Sequence, residues 1–298
     1  MKRVIALGFF DGVHLGHGAL LRRTVERACE IGAVAAACTF DTHPSALISK
    51  NTVPLLTTPA DRALLMRELY GVKEVIITPF DQAMRTMAWD VFVRDYLVGK
   101  LDACHLVAGH DYRFGYKGEG TPEKLQTLCA ELGLGCDIIP PVMVEGQIVS
   151  STLIRTLVEQ GEMERARAFL GHPYLIRGTV GHGKHLGSKL GFPTVNVTLD
   201  SGILLPAFGV YAAKVILENG ESYPAAANIG RRPTVNDADD VTAEAFLLDF
   251  EGDLYGREVR LELYHQLRSE RKFDGLEALK AAILENARQT RAYFETEA

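Results

Sequence analysis

Two histidines near the start of the chain, His14 and His17, have the spacing of a phosphate-binding pair. Residues three apart lie on one side of a helical turn, so both imidazoles can donate hydrogen bonds to one phosphate. Gly16 between them leaves room for a close approach. Because two surface histidines also produce this short pattern by chance, the surrounding sequence has to distinguish the alternatives.

The sequence around the two histidines predicts a strand, a turn and a helix. Residues 4–10 form an apolar run that predicts the strand, and Asp11 and Gly12 predict a sharp turn into the helix. At such a junction of an α/β sheet, backbone N–H groups and the positive end of the helix dipole face the ligand. The sequence therefore predicts an anion site that serves nucleotidyl transfer.

Length and composition bound the class of protein. A chain of 298 residues is long enough for two domains. The hydrophobic fraction of 47% is typical of a globular protein in water, and no apolar run reaches the roughly 20 residues of a membrane helix. We see no secretory signal, so we expect a cytoplasmic protein with no membrane partner. The five cysteines form no CxxC pair and are odd in number, so we expect buried free thiols.

The net charge of −6 is spread over both halves of the chain. Residues 1–172 carry 18 Lys and Arg against 20 Asp and Glu, net −2, and the remaining residues carry 14 against 18, net −4. Neither half resembles a basic arm, so we expect no nucleic-acid partner. Because an acidic protein repels polyphosphate at long range, helix N-termini, arginines or Mg²⁺ must attract a nucleotide locally.

Segments typical of strands and helices alternate through residues 1–172, which predicts a Rossmann-like domain with a parallel sheet. Thr58 with Pro59, and Thr121 with Pro122, each combine a capping hydroxyl with a proline at the first helical position. These pairs predict the starts of two helices.

Ligands of a parallel sheet bind beyond the carboxyl ends of its strands, where polar residues become candidates. One group follows the fourth predicted strand, and another stands at a later helix start, where hydroxyls and a guanidinium suit phosphate oxygens. The first group is Asp111 and Arg113, and the second is Ser150, Ser151, Thr152 and Arg155. A surface loop and a helix cap without a ligand are the alternative interpretations.

Short strands separated by Gly, Pro, Asn and Asp dominate residues 173–298, which predicts a small antiparallel β-barrel as a second domain. A final helix follows the strands. Its apolar residues Leu276, Leu279, Ile283 and Ala287 fall on one face, which we expect to pack against the barrel.

A glycine-rich stretch, "RGTVGHGKHLGSKLGFPTVN", lies near the start of the predicted barrel. Its glycines favour a loop wrapped closely around a ligand, but the spacing is not that of a Walker A motif. Thr194 and Asn196 follow it two residues apart, so both side chains face the same way on a strand. A hydroxyl and an amide oxygen there could hold Mg²⁺ with its phosphates, although both residues are also common at strand starts.

These motifs resemble those of the bacterial bifunctional riboflavin kinase/FAD synthetase family, in order and over nearly the whole chain. The matching blocks include "GFFDGVHLGH", "TFDTHP", "GHDYRFG", "SSTLIR", "LGFPTVN", "NIGRRPTV" and "LRSERKF". The resemblance implies an N-terminal FAD synthetase domain that joins AMP to FMN. It also implies a C-terminal flavokinase barrel that makes FMN from riboflavin, with ATP and Mg²⁺ used by both domains.

The resemblance also implies roles for particular residues. His14 and His17 would bind the ATP phosphates, and Glu244 would take the proton from the ribityl hydroxyl of riboflavin, unless it is only an outward-facing strand glutamate. Thr194 and Asn196 would hold Mg²⁺ and phosphate. Further nucleotide or flavin contacts are expected at Gly8, Phe10, Asp11, Gly16, Asp111, Arg113, Ser150, Ser151, Thr152, Arg155, Gly181, Gly183, Lys184, Gly187 and Arg268.

Four residues depart from the common family pattern without replacing an assigned catalytic residue. They are Phe9, Ser188, Val195 and Phe246, where Asn, Arg, Ala and His are frequent. The missing basic side chain at position 188 could shift a phosphate contact to Lys184 or Lys189.

Three other functions would account for only part of this pattern. A nucleotidyltransferase with a different acceptor would leave the second domain unexplained, and a class I aminoacyl-tRNA synthetase would show a KMSKS-like loop and a basic domain. A flavin sensor without catalysis would not need the histidine pair and Glu244 together.

Overall fold

A computed structural model describes residues 1–47, 53–181, 194–200, 202–231 and 241–297. The chain divides into two compact units, Met1–Ser151 and Thr152–Ala298.

The first unit is a five-stranded parallel sheet with helices. Its strands are β1 (Arg3–Leu7), β2 (Val34–Phe40), β3 (Glu74–Thr78), β4 (Ala103–Gly109) and β5 (Gly135–Ile139). Its helices are α1 (Leu15–Ile31), α2 (Pro59–Tyr70), α3 (Gln82–Thr86), α4 (Trp89–Val91), which continues as a π-helix over Phe92–Lys100, and α5 (Pro122–Glu131). Short 3₁₀ turns cover Pro44–Leu47 and Tyr116–Gly118, and a hairpin joins β6 (Met143–Val144) to β7 (Gln147–Ile148).

The strand order is β3-β2-β1-β4-β5, so the direction of winding reverses beside β1. All four strand pairs are parallel, which confirms the predicted sheet. A reversal of this kind leaves a crevice between the loops that leave the two neighbouring strands, here β1 and β4. The turn that carries the histidine pair therefore borders the crevice where such sheets bind ligands.

Local capping explains where two helices start. The Thr58 hydroxyl accepts a hydrogen bond from the Asp61 N–H, and the Thr121 hydroxyl accepts one from the Lys124 N–H. Each threonine is followed by a proline in the first helical turn, which confirms both predicted starts.

The second unit contains a closed antiparallel barrel. It begins with the helices α6 (Ser151–Gln160), whose first residue closes the first unit, and α7 (Met163–Leu170). The strands are β8 (Tyr174–Gly181), β9 (Thr194–Leu199), β10 (Gly209–Leu217), β11 (Ser222–Arg231), β12 (Val241–Leu247) and β13 (Glu258–Ser269), followed by α8 (Leu276–Glu297). The barrel order is β10-β11-β12-β9-β8-β13, which confirms the predicted barrel and its terminal helix.

Side chains alternate between the two faces of β12. Ala243 and Ala245 are fully buried inside the barrel, whereas Glu244 and Phe246 point to the outer face. The helix α8 packs on β10 and β11, and α7 packs on β13 and β8. Because α6 and α7 group with the barrel, the two compact units divide earlier in the chain than the predicted domain boundary at residues 172 and 173. That domain boundary stays a prediction.

Two expectations about individual side chains were wrong. Leu276 is 59% exposed because it stands at the very start of α8, and the packing face is made by residues further along. All five cysteines are free thiols as expected, but Cys29 is exposed on α1. No helix among the residues with described positions is long and apolar enough to span a membrane.

Candidate active sites

A cavity of about 540 Å³ lies at the carboxyl ends of β1, β4 and β5. Its wall includes the turn between β1 and α1, the loops after β2, β4 and β5, and the segment that precedes α6. These segments bring together nine of the residues predicted from the sequence. They are Gly8, Phe10, His14, Gly16, His17, Asp111, Arg113, Ser150 and Ser151.

The rings of His14 and His17 stack in this cavity, with centroids 3.6 Å apart and planes 14° from parallel. His14 caps α1, and its Nδ1 accepts a hydrogen bond from the His17 N–H at 3.3 Å. That bond leaves the proton of a neutral His14 ring on Nε2. A Cβ at position 16 would lie 3.1 Å from the His14 ring, so the glycine provides space for the stack.

His17 lines the cavity and carries a ring nitrogen that is unsatisfied within the described residues. Its Nδ1 is buried and has no hydrogen-bond partner in the described parts of the chain. Burial, and then the neighbouring His14 and Arg62, hold the pKa of His17 well below its ordinary value. The ring is therefore neutral at pH 7, with one nitrogen that donates and one that accepts.

The turn before α1 has a strained backbone that buried contacts hold in place. Phe10 and Val13 have φ values of 57° and 43°, a left-handed conformation that costs non-glycine residues about 1–3 kcal/mol each. The Asp11 carboxylate accepts hydrogen bonds from the backbone N–H groups of Leu56 (2.9 Å) and Thr57 (3.1 Å). Asp11 is 2% exposed and is not among the residues that line the cavity, so its predicted contact with the nucleotide stays a prediction.

The segment before α6 is tied to the same turn. The Ser151 hydroxyl donates a hydrogen bond to the Asp11 carbonyl oxygen at 3.0 Å, and Ser150 and Ser151 both line the cavity. Thr152 and Arg155 follow on α6 but belong to the second unit, and their predicted phosphate contacts remain predictions.

A second cavity in the first unit, of about 420 Å³, has a wall that is largely aromatic. Tyr112 and Phe114 stack within this wall at 5.3 Å. Arg113 and Tyr112 line both this cavity and the cavity of the histidine pair, so the two cavities share part of their walls. The other aromatic and sulfur-containing lining residues are Phe40, Phe80, Met84, Met87, Phe92 and Tyr116. The sequence analysis missed this cavity, although alternating aromatics in "YRFGY" were a signal.

A third cavity, of about 250 Å³, lies on the outer face of the barrel beside α8. It brings together three predicted residues, Thr194, Glu244 and Arg268. The Arg268 Nε donates a hydrogen bond to the Asn286 side-chain oxygen at 3.2 Å, and its guanidinium lies over the Phe273 ring. Burial, and then the nearby Arg271, lower the pKa of Arg268.

The strand register places further polar side chains beside Glu244. Asn196 on β9 and Asn228 on β11 are its direct partners on the two sides of β12. Directly opposed residues of an antiparallel pair point to the same face, so the three side chains form one row across the barrel. Gly181 is opposite Asn196 on β8. The predicted contacts of Gly183, Lys184 and Gly187, and those of Ser188 and Lys189, lie outside the described residues.

Comparisons with known proteins cover nearly the whole chain. Residues 1–153 match the family model of FAD synthetase, and residues 170–294 match that of riboflavin kinase. A bifunctional riboflavin kinase/FMN adenylyltransferase of Listeria monocytogenes is 38% identical over 99% of this chain and 93% of its own length. The protein of the same description from Bacillus subtilis is 35% identical over 98% of this chain and 93% of its own length.

A solved structure from Streptococcus pneumoniae has the same fold. It is described as a macrolide-efflux protein and is 29% identical in sequence. The two structures match with a TM-score of 0.86, over 97% of this chain and 94% of the other.

Proposed function

Since the chain belongs to the bifunctional riboflavin kinase/FMN adenylyltransferase family, we propose an assignment of its two reactions to the cavities described above. The protein phosphorylates riboflavin to FMN and adenylylates FMN to FAD with release of pyrophosphate. Its substrates are small molecules, and we expect no nucleic-acid partner and a place in the cytoplasm.

Adenylyl transfer takes place in the cavity of the histidine pair. One observation carries this assignment: the His17 ring is stacked on His14 beyond the carboxyl end of β1, and its buried Nδ1 has no hydrogen-bond partner among the described residues. Such transfer needs in-line positioning and stabilisation of charge on the phosphate oxygens more than a covalent nucleophile. Imidazole N–H donors and the N-terminus of α1 supply that stabilisation at the α-phosphate.

The aromatic cavity receives the ring system of FMN. Tyr112 and Phe114, which stack on each other in its wall, contribute aromatic surface for a flat, largely apolar isoalloxazine. Arg113 lines both cavities, so FMN bound there would present its phosphate near the histidines, where the α-phosphate of ATP is attacked. This placement lets the attacking phosphate and the ATP meet at the shared wall.

Phosphorylation of riboflavin takes place in the barrel cavity. Glu244 accepts the proton of the attacking hydroxyl, and Arg268 holds the flavin. Thr194 and Asn196 offer oxygen ligands, and no cluster of three His, Cys, Asp or Glu suited to a metal occurs among the residues that the structure covers. This donor set fits Mg²⁺ that is held mainly by ATP phosphates, where the ion would neutralise charge on the transferred group.

We also propose that the two catalytic domains divide between residues 172 and 173, after α7. The start of β8 at Tyr174 supports this proposal, whereas the two compact units divide earlier, between Ser151 and Thr152. Limited proteolysis that yields a fragment starting at about this position would support it.

A flavin product assay tests the assignment of both sites. The full chain is incubated with ATP, MgCl₂ and either riboflavin or FMN, and the flavins are separated by chromatography. We expect FMN and FAD from riboflavin, and FAD alone from FMN. Loss of both products on addition of EDTA, with recovery on excess Mg²⁺, supports the metal dependence, and full activity in EDTA would contradict it.

A further inference from the structure

The side chain of Arg62 on α2 is fully buried directly behind the wall of the adenylyl transfer cavity. Its guanidinium carbon lies 4.2 Å from the centre of the Phe9 ring, and its Nη1 donates a hydrogen bond to the Phe40 carbonyl oxygen at 2.9 Å. Phe9 and Phe40 both line that cavity. The family resemblance gave this arginine no role.

Arg62 joins the carboxyl ends of β1 and β2. Nη1 also donates to the Thr39 hydroxyl at 2.8 Å, and that hydroxyl donates to the Phe9 carbonyl oxygen at 2.7 Å. The segment just before α2 also holds the turn between β1 and α1, because the backbone N–H groups of Leu56 and Thr57 donate hydrogen bonds to the Asp11 carboxylate. The strained turn is therefore fixed from α2 and the segment before it.

Two nitrogens of Arg62, which together carry three N–H donors, have no hydrogen-bond partner among the described residues. Nε and Nη2 are buried without a hydrogen bond to any described residue. A buried cation with unsatisfied donors is costly for stability, so a purely structural role would be served better by an apolar side chain. Burial lowers the pKa of Arg62 to about 10, with Asp11 acting in the opposite direction, so the group remains charged at pH 7.

We propose that Arg62 is a positioning residue for adenylyl transfer, which holds the ends of β1 and β2 at the nucleotide cavity and places a fixed positive charge behind its wall. This charge attracts phosphate in a protein whose net charge is −6. It also acts on His17, since the pKa of that ring is lowered first by burial, then by His14 and then by Arg62. The inference rests on the proposed function of the histidine pair.

Two substitutions separate the charge from the hydrogen bonds. Arg62→Lys keeps the positive charge, and Arg62→Gln keeps a donor for Thr39 but removes the charge. Adenylylation is measured with FMN supplied, and phosphorylation of riboflavin in the same preparations serves as the control. The titration of His17 is followed by NMR on histidine-labelled protein, with its signal assigned by comparison with His17→Ala.

For Arg62→Gln we expect the KM for ATP to rise about tenfold, less than the roughly 100-fold loss typical of a direct donor, while the KM for FMN changes little. The pKa of His17 should rise, because a positive neighbour has been removed. Arg62→Lys should keep both values close to wild type, and kinase activity should stay unchanged in both variants. Equal losses in the two variants with an unchanged His17 titration, or a wild-type Arg62→Gln, would overturn the proposal.

Two further variants keep the outcome decisive. If circular dichroism shows that Arg62→Gln does not fold, Thr39→Val decides, because it breaks the link to Phe9 while keeping the charge and the volume. A several-fold fall in kcat for adenylylation, in protein that is folded at the assay temperature and keeps its kinase activity, supports the proposal, and an unchanged kcat contradicts it. His17→Ala distinguishes failure of the proposed function from failure of the role of Arg62. If His17→Ala still makes FAD, the proposed function of the histidine pair fails. If His17→Ala is inactive and Arg62→Gln is normal, only the role of Arg62 is excluded.

Discussion

His17 stacks on His14 with ring centroids 3.6 Å apart, and the backbone N–H of His17 donates a hydrogen bond to the His14 ring. Two protonated rings at this distance would repel each other strongly. The pair therefore carries at most one proton charge, and His17, whose pKa burial holds well below its ordinary value, stays neutral in the first turn of α1 at pH 7.

Replacement of His17 should abolish useful adenylylation and spare the kinase. We expect His17→Ala to lower FAD formation from FMN by about 100- to 1,000-fold, because a preorganised donor to the phosphate is lost. The two half-reactions are assayed separately on the same preparation. His110→Ala is the matched control, since His110 lines the same cavity outside the stack, and its effect should be much smaller. Normal FAD formation by His17→Ala would remove the residue from the site.

The depressed pKa of His17 should make the first unit less stable in mild acid. The folded ring stays neutral below the ordinary histidine pKa of about 6.5, whereas the unfolded chain takes up a proton there. The neutral His17 ring therefore does not reduce the free energy of unfolding above about pH 6.5. Below that pH the free energy of unfolding falls, until the pH reaches the lower pKa of the folded state. Calorimetry should show a Tm that falls more between pH 7 and 5 in wild type than in His17→Gln. Equal shifts in the two proteins would argue against a buried neutral ring.

Replacement of Glu244 should give the opposite pattern of activities. We expect Glu244→Gln to lower FMN formation from riboflavin by about 100- to 10,000-fold, because the general base is lost, while supplied FMN is still converted to FAD. Glu270→Gln is the control, since Glu270 is the other carboxylate in the barrel cavity. If Glu270→Gln loses the kinase and Glu244→Gln keeps it, the base has been assigned to the wrong carboxylate.

Replacement of Asp11 should affect both stability and adenylylation. Asp11→Ala leaves the buried N–H groups of Leu56 and Thr57 without their acceptor, at a cost of about 1–3 kcal/mol for each unsatisfied donor. We expect a lower Tm and weak FAD formation. The exposed Asp111→Ala should leave the Tm nearly unchanged. A wild-type Tm for Asp11→Ala would show that other contacts hold the turn.

Asp137 should contribute stability that is lost in strong acid. Burial opposes ionisation of this carboxyl, but hydrogen bonds from Arg27 and Arg23 outweigh it and lower the pKa of Asp137 to about 2. Its contribution is therefore present above about pH 4 and lost as the pH falls toward 2. Because solvent screens these ion pairs, Asp137→Asn should lower the free energy of unfolding by only about 1 kcal/mol at pH 7 and by much less near pH 2. Equal destabilisation at both pH values in denaturant titrations would contradict this.

Local sequence signals predicted the parallel sheet, the barrel and the capped helix starts, because strand alternation, glycines and threonine caps act over a few residues. They could not predict Arg62, since a charged residue on a predicted helix is normally solvated, and its burial depends on where α2 meets the ends of β1 and β2. In the structure Asp61, Arg62 and Ala63 are consecutive and all buried, so this part of α2 has no clear polar face. The aromatic cavity was missed for a similar reason, because Phe40, Phe92 and Phe114 come from distant segments.

The central position of β1 has a consequence for how activity is lost. β1 is hydrogen-bonded to β2 on one edge and β4 on the other, and Val4, Ile5 and Ala6 have no exposed surface. Its amides should therefore be among the last to exchange with deuterium, at a rate set by global opening of the sheet. The turn that carries the histidine pair follows this strand directly, so we expect that mild heating does not inactivate adenylyl transfer before the sheet itself melts.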